Sequence, residues 1–143
     1  MKRNKKQYLS LLLLADEQEN MVDRYLAHGT MYVLDDKGIK AECVVTDEGN
    51  GILEIKNIAT DPDSQRRGYG KALIDFISSK YQGKYSVLQA GTGDSPLTVP
   101  FYEKCGFSRS HVVENFFTDN YDHPIYEAGI QLKDMVYLRK KLV

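Results

Sequence analysis

The chain has 143 residues, 42% of them hydrophobic and 27% charged, the profile of one ordinary globular domain. With 19 basic and 20 acidic side chains the net charge is -1, so no global field draws the protein to nucleic acid and any anion site must be local. Cys43 and Cys105 are too few for a disulfide framework and read as buried thiols in a reducing cytosol; with His28, His111 and His123 scattered, no metal site is expected.

The N-terminal MKRNKKQYLSLLLLADEQ imitates the basic and apolar regions of a secretory leader, but no A-x-A site follows, and Asp16, Glu17 and Glu19 arrive at once. Tyr8, Leu11, Leu12, Ala15, Val22, Tyr25 and Leu26 fall near i, i+3, i+4, i+7 spacing, which predicts an amphipathic helix closed by His28-Gly29. No apolar stretch approaches ~20 residues, so a cytoplasmic protein without membrane contact is expected. Residues 31–34 read as a strand, and residues 39–46 and 52–59 as an antiparallel hairpin about an Asn-Gly turn. Asp61-Pro62-Asp63 ends the second strand, and from Gly70 onward Ala72, Leu73, Phe76 and Ile77 make one apolar helix face. Residues 85–90 form a short buried strand, most simply parallel to the strand before the helix. In GTGDSPLTVPFYEKCGF, Pro100 fits the first position of a short helix and Gly106 its C-cap. An aromatic and acidic region, ENFFTDNYDHPIYEAG, precedes a last strand near residues 131–138; no repeat or linker interrupts a single domain over residues 1–143.

The segment SQRRGYGKALIDFISSK sets two arginines at the start of a helix, where backbone donors already carry partial positive charge. An anion resolves the conflict, because glycines such as Gly68 and Gly70 free those donors to cradle one. Neither phosphate-binding signature with similar spelling fits: the Gly-Lys-Ser/Thr loop is absent, and the third glycine of a dinucleotide fingerprint is Leu73. GTGDS at Gly91 resembles a methyltransferase loop, but too little chain remains for the doubly wound sheet that loop belongs to.

In order along the chain, the strand ILEIKNIATDP, the element Gln65-Arg66-Arg67-Gly68-Tyr69-Gly70-Lys71 and the element Phe101-Tyr102-Glu103-Lys104-Cys105-Gly106-Phe107 resemble the GCN5-related N-acetyltransferase (GNAT) family. The resemblance covers residues 44–107. It implies an α/β fold of the α+β type, with a mixed, largely antiparallel central sheet of six to seven strands, flanked by helices and splayed into a V between its central strands. It further implies that the anion is the pyrophosphate of acetyl-CoA, held by backbone N–H groups from Arg66, Arg67, Gly68, Tyr69, Gly70 and Lys71. The pantetheine would hydrogen-bond the exposed backbone of Ile58, Ala59 and Thr60 like an added strand, and an N–H there would face the thioester oxygen.

Acyl transfer to an amine needs a neutral nucleophile, a path for its proton and a donor for the departing thiolate. The resemblance implies Tyr102 as that donor, and its ordinary pKa of ~10 keeps it protonated at neutral pH. Glu54 stands where some members of the family carry the general base; period two puts it on one strand face with Lys56 and Ile58. Gln89, the nearest match to an acid that other members place on the following strand, cannot be a base at neutral pH. Three departures stand out: Ser95, which keeps a hydroxyl for the cofactor where the family usually has an asparagine but loses the amide's reach, Thr60 where an aliphatic residue is common, and a short N-terminus that implies a truncated or missing first strand.

The reading is therefore an acetyl-CoA-dependent N-acetyltransferase acting by direct attack through a tetrahedral intermediate. Its acceptor would be a small-molecule or peptide amine, with no nucleic acid or metal, in a family whose members often form homodimers. Glu114, Asp119, Asp122 and Glu127, interspersed with Phe116, Phe117, Tyr121 and Tyr126, suggest a small cationic acceptor. A non-catalytic acetyl-CoA sensor or assembly module is the alternative.

Overall fold

After Ala15 no apolar residue follows until Met21, a lapse longer than a helical turn, and there the N-terminal segment breaks. The computed structural model describes residues 5–142 except residue 17. Residues 1–4 of the basic stretch, and Glu17 of the acidic run after it, lie outside the described residues. In place of the continuous helix expected here there are two, α1 (Leu9–Ala15) and α2 (Glu19–Leu26). Asp16, between them, is extended at φ -140° and ψ 103°. Leu12, Val22, Tyr25 and Leu26 bury their apolar stripe against Val44 of the sheet.

Strands β1 (Thr30–Asp35), β2 (Ile39–Gly49) and β3 (Ile52–Thr60) form an antiparallel meander. Asn50 and Gly51, at φ 56° and 78°, make the two-residue turn whose twist suits a hairpin. Helix α3 (Tyr69–Tyr81) then carries the chain to β4 (Val87–Gly93), which lies parallel to β3. Beyond it come α4 (Val99–Lys104), β5 (Ser108–Val113), α5 (Phe116–Asn120), the small ribbon of β6 (Ile125–Glu127) and β7 (Ile130–Leu132), and β8 (Met135–Lys141). β8 inserts between β4 and β5, so the sheet reads β1-β2-β3-β4-β8-β5, antiparallel throughout except at β3/β4. On the sheet face opposite α1 and α2, Leu73, Ile74 and Ile77 of α3 pack on Val45, Ile55, Leu88 and Leu138 as the main core. Among the described residues no strand precedes α1, and no helix is long and apolar enough to cross a membrane.

Two expectations need correction. The last strand starts at Met135 rather than near Gln131, which belongs to the ribbon. The chain turns between them because Lys133 O accepts from Phe117 N–H at 2.9 Å and the Asp134 carboxylate accepts from Asn115 N–H at 2.8 Å. The alternation along β3 also changes phase. Val44 lies opposite Asn57 but Val45 lies opposite Ile55, so Lys56 is an extra, bulged residue. Ile55 and Ile58 consequently face α3, whereas Glu54, Asn57 and Ala59 face α1 and α2; Glu54 and Ile58 do not share a face.

Gly91-Thr92-Gly93 is part of β4 rather than a loop. A Cβ on Gly91 would lie 2.8 Å from the Tyr137 ring, and one on Gly93 would lie 2.6 Å from Leu132 Cδ1. These glycines let neighbouring side chains cross the strand, which removes the methyltransferase reading of the sequence.

Candidate active site

The bulge at Lys56 falls where β3 and β4 part. The parallel register runs Ile52–Val87, Leu53–Leu88, Glu54–Gln89 and Ile55–Ala90, and then stops. Beyond it the β3 backbone keeps its β2 partners on one side and turns unpaired groups toward the gap on the other. A cavity of about 460 Å³ fills this V, lined by Ile58, Ala59 and Thr60 on one arm, Gly91 to Gly93 on the other, and Thr98 and Tyr102 from the α4 segment. A second cavity of about 310 Å³ opens from the α2 side and reaches Glu48, Glu54, Tyr137 and Phe116. The two share six lining residues, Asp16, Ile55, Lys56, Gly91, Tyr121 and Met135, so they meet at the apex of the splay.

The start of α3 lies beside Thr60, the last residue of the β3 arm of the V: a Cβ on Gly70 would lie 3.8 Å from Thr60 Oγ1. Arg66 and Gly68 both take positive φ, 66° and 82°, an arrangement that turns successive N–H groups toward one side. The helix has no side-chain cap and no acidic residue in its first turn. Its first closing bond runs from Ala72 N–H to Gly68 O at 2.9 Å, which leaves the N–H groups of Tyr69, Gly70 and Lys71 directed outward. Gly70 meets the edge of α4, where a Cβ would lie 3.1 Å from Phe101 Cζ. Tyr69 donates to the Asp36 carboxylate at 2.8 Å, tying the β1–β2 turn to this corner, and Lys71 pairs with Asp75. An uncapped helix start bordered by Arg66, Arg67 and Lys71 can hold an anion with several negative charges.

Tyr102, in the first turn of α4, is 6% exposed, with its ring edge-on to Phe101 and Phe107. Burial pushes its phenol up, reinforced by Cys43 and Cys105, and so keeps it in the donor form. Glu54 is 5% exposed and lines the second cavity. Its Oε1 accepts from Gln89 Nε2 at 2.6 Å and its Oε2 lies 2.9 Å from Lys56 Nζ. Arg139 Nε in turn donates to Gln89 Oε1 at 2.8 Å. Gln89 thus serves as the clamp that fixes Glu54. Among the described residues no group of three His, Cys, Asp or Glu side chains could hold a metal ion.

A family model for the acetyltransferase (GNAT) domain matches residues 27–109, more than half of the chain. The chain belongs to the GNAT acetyltransferases. This acetyltransferase is 36% identical over 131 residues to a Bacillus subtilis protein described as the uncharacterized N-acetyltransferase YvbK, covering 90% of this chain and 84% of that one. Its fold matches a GNAT family acetyltransferase from Elizabethkingia anophelis solved with acetyl-CoA bound, with TM-score 0.92, 34% identity, and 99% and 94% of the two chains covered. It also matches a Bacillus subtilis acetyltransferase in complex with CoA, with TM-score 0.89, 33% identity, and 100% and 96% covered.

Other residues of this acetyltransferase sit differently from the sequence reading. Ser95 is 2% exposed and does not line the V; its hydroxyl donates to Glu127 and accepts from Leu97 N–H, both at 3.1 Å, fixing the turn before α4. Of the acidic tail, Glu127 lines the V, whereas Glu114 and Asp119 line neither cavity. Sequence reasoning passed over Asp16, at the apex between both cavities. The lapse in the apolar pattern after Ala15 was the signal that this residue leaves the helix. It also passed over Glu42, fully buried on β2 opposite Ala59 with neither carboxyl oxygen hydrogen-bonded. Burial raises its pKa to about 8, a property no sequence pattern reports.

Proposed function

We propose that the chain moves the acetyl group of acetyl-CoA to a primary amine by direct attack. The observation that carries this reading is an uncapped, cation-bordered start of α3 beside Thr60, at the end of one arm of a V that shares lining residues with a second cavity. The N–H groups from Arg66 to Lys71 would hold the pyrophosphate, and the free edge of Ile58, Ala59 and Thr60 the pantetheine amides. Ser95 supports this by fixing the loop before α4 rather than by touching the cofactor.

At the apex, a backbone N–H of the bulged strand would stabilise the oxyanion while the amine nitrogen bonds to the acetyl carbon. Tyr102 hydrogen-bonds the departing sulfur and gives the thiolate its proton as the carbon–sulfur bond breaks, and the proton that the nitrogen sheds on becoming an amide restores the phenol through solvent. The amine must arrive uncharged. Lys56 beside the apex disfavours its ammonium form, and Glu54, held by Gln89 and Lys56, accepts the proton through solvent. Aromatic walls and an excess of carboxylates in the second cavity favour a small cationic acceptor.

Titration calorimetry with acetyl-CoA, followed by thiol release over cationic, neutral and acidic amines, tests this function. Binding with amine-dependent thiol release is expected. Binding without release from any amine would favour the sensor alternative, and a preference confined to acidic amines would overturn the cationic acceptor.

A further inference from the structure

The second cavity holds carboxylates in two different conditions. Glu54 is already engaged by Lys56 and Gln89. Asp16 accepts only from phenols among its recorded side-chain partners: Tyr121 OH at 2.6 Å on Oδ1 and Tyr25 OH at 3.2 Å on Oδ2. Asn57 Nδ2 donates to Tyr25 OH at 2.9 Å and so anchors that phenol to β3. Tyr121 comes from the residue after α5, so helix linker, strand and tail converge on one carboxylate. Burial raises the Asp16 carboxyl, while the hydrogen bonds from Tyr121 and Tyr25 and the charge of Arg24, whose guanidinium donates to Asn120 at 3.2 Å, favour its ionised form. Among the described residues lining the cavity, the carboxylates Asp16, Glu48 and Glu54 outnumber the cations Arg24 and Lys56. Phe116, Tyr121 and Tyr137 supply ring faces beside it.

These conditions separate two tasks. Near Glu54 and Lys56 the reacting nitrogen has to be uncharged. A protonated nitrogen belongs at Asp16, which among the described residues has phenols and no ion pair as its side-chain partners and lies beside aromatic faces. We propose that Asp16 is a specificity-determining residue that holds a second, non-reacting ammonium of the acceptor, so that the preferred substrates are amines carrying another cationic centre. Tyr25 and Tyr121 hold its two oxygens in place for this. Asp16 takes no part in bond making. The inference rests on the reading of this chain as an amine acetyltransferase.

The test compares putrescine with 4-amino-1-butanol, which has the same reach and one reacting amine but a neutral hydroxyl at the far end. The wild-type enzyme at pH 7.5 is expected to prefer putrescine in kcat/KM by about 10- to 100-fold, the scale of one hydrogen bond between charged groups. In Asp16→Asn the preference should fall to within about threefold through a higher KM for putrescine, with acetyl-CoA affinity changed by less than about twofold. Tyr121→Phe, which keeps the charge, should retain most of the preference. Equal use of both amines by the wild type would overturn the proposal even if Asp16→Asn did not fold, as would a preference surviving in Asp16→Asn. Thiol release from neither amine, or from any other, would instead overturn the acetyltransferase reading beneath it.

Discussion

Glu54 and Glu42 are both buried carboxyls on adjacent strands, yet their surroundings ask opposite things of them. Glu54, the proposed proton acceptor, has a cation and an amide donor within hydrogen-bond reach. Glu54→Gln keeps the shape and removes the proposed base. Turnover should fall by roughly 10- to 100-fold at pH 7, and the deficit should shrink as pH approaches the amine's own pKa of ~10. A wild-type to variant ratio independent of pH would remove Glu54 from the chemistry. Glu42 has no hydrogen-bond partner for either oxygen, and burial raises its pKa from 4.5 to about 8. Because the folded value lies above the unfolded one, the fold binds the proton more tightly. Its stabilising contribution is complete below about pH 4.5 and is lost as pH rises through about 8, on the order of 1.4 kcal/mol per pH unit within that window. Glu42→Gln carries no such proton. Melting temperatures recorded from pH 5 to 9 should therefore decline more steeply in the wild type than in the variant, and superimposable profiles would contradict this.

Among the elements, β3 and the start of α3 do most to create the site. The extra residue at Lys56 turns β3 at the point where its pairing with β4 ends, so one bulge places Glu54 on the α1/α2 face and frees the edge at Ile58 to Thr60. Gly70 governs how closely α3 approaches α4. In Gly70→Val the first added carbon alone would sit 3.1 Å from Phe101. Acetyl-CoA affinity measured by calorimetry should drop about tenfold or more as the helix start is pushed off its position. Unchanged affinity would place the anion elsewhere. The glycines of β4 have a packing task, since a Cβ on Gly93 would lie 2.6 Å from Leu132 Cδ1. Gly93→Ala should lose about 1–3 kcal/mol in urea denaturation, and an unshifted midpoint would argue against that crowding.

For the molecule as a whole, the meander, the α3 crossover and the parallel β3/β4 pair were legible because Asn50-Gly51, Asp61-Pro62 and the apolar face of α3 are local signals. The proposed anion cradle rests on equally local signals, two arginines next to two glycines. What escaped depended on register and on distant partners. A period of two cannot reveal that Lys56 is bulged, so it assigned Ile58 to the wrong face. A helical period carried through Asp16 hid the linker, and nothing near Ser95 in sequence announces that Glu127 will take its hydroxyl. The second cavity, the proposed acceptor side, is assembled from the first helices, β3 and the tail, and is therefore the part that sequence specified least. The central claim is that the two cavities are one reaction path with Tyr102 at the leaving thiolate. Amine-dependent thiol release by wild type and Tyr102→Phe, with acetyl-CoA affinity measured on the same preparations, tests it most directly. The account predicts turnover lower by about 10²- to 10⁴-fold in the variant, with affinity within about threefold. Full turnover in Tyr102→Phe, or equal losses in turnover and affinity, would contradict it.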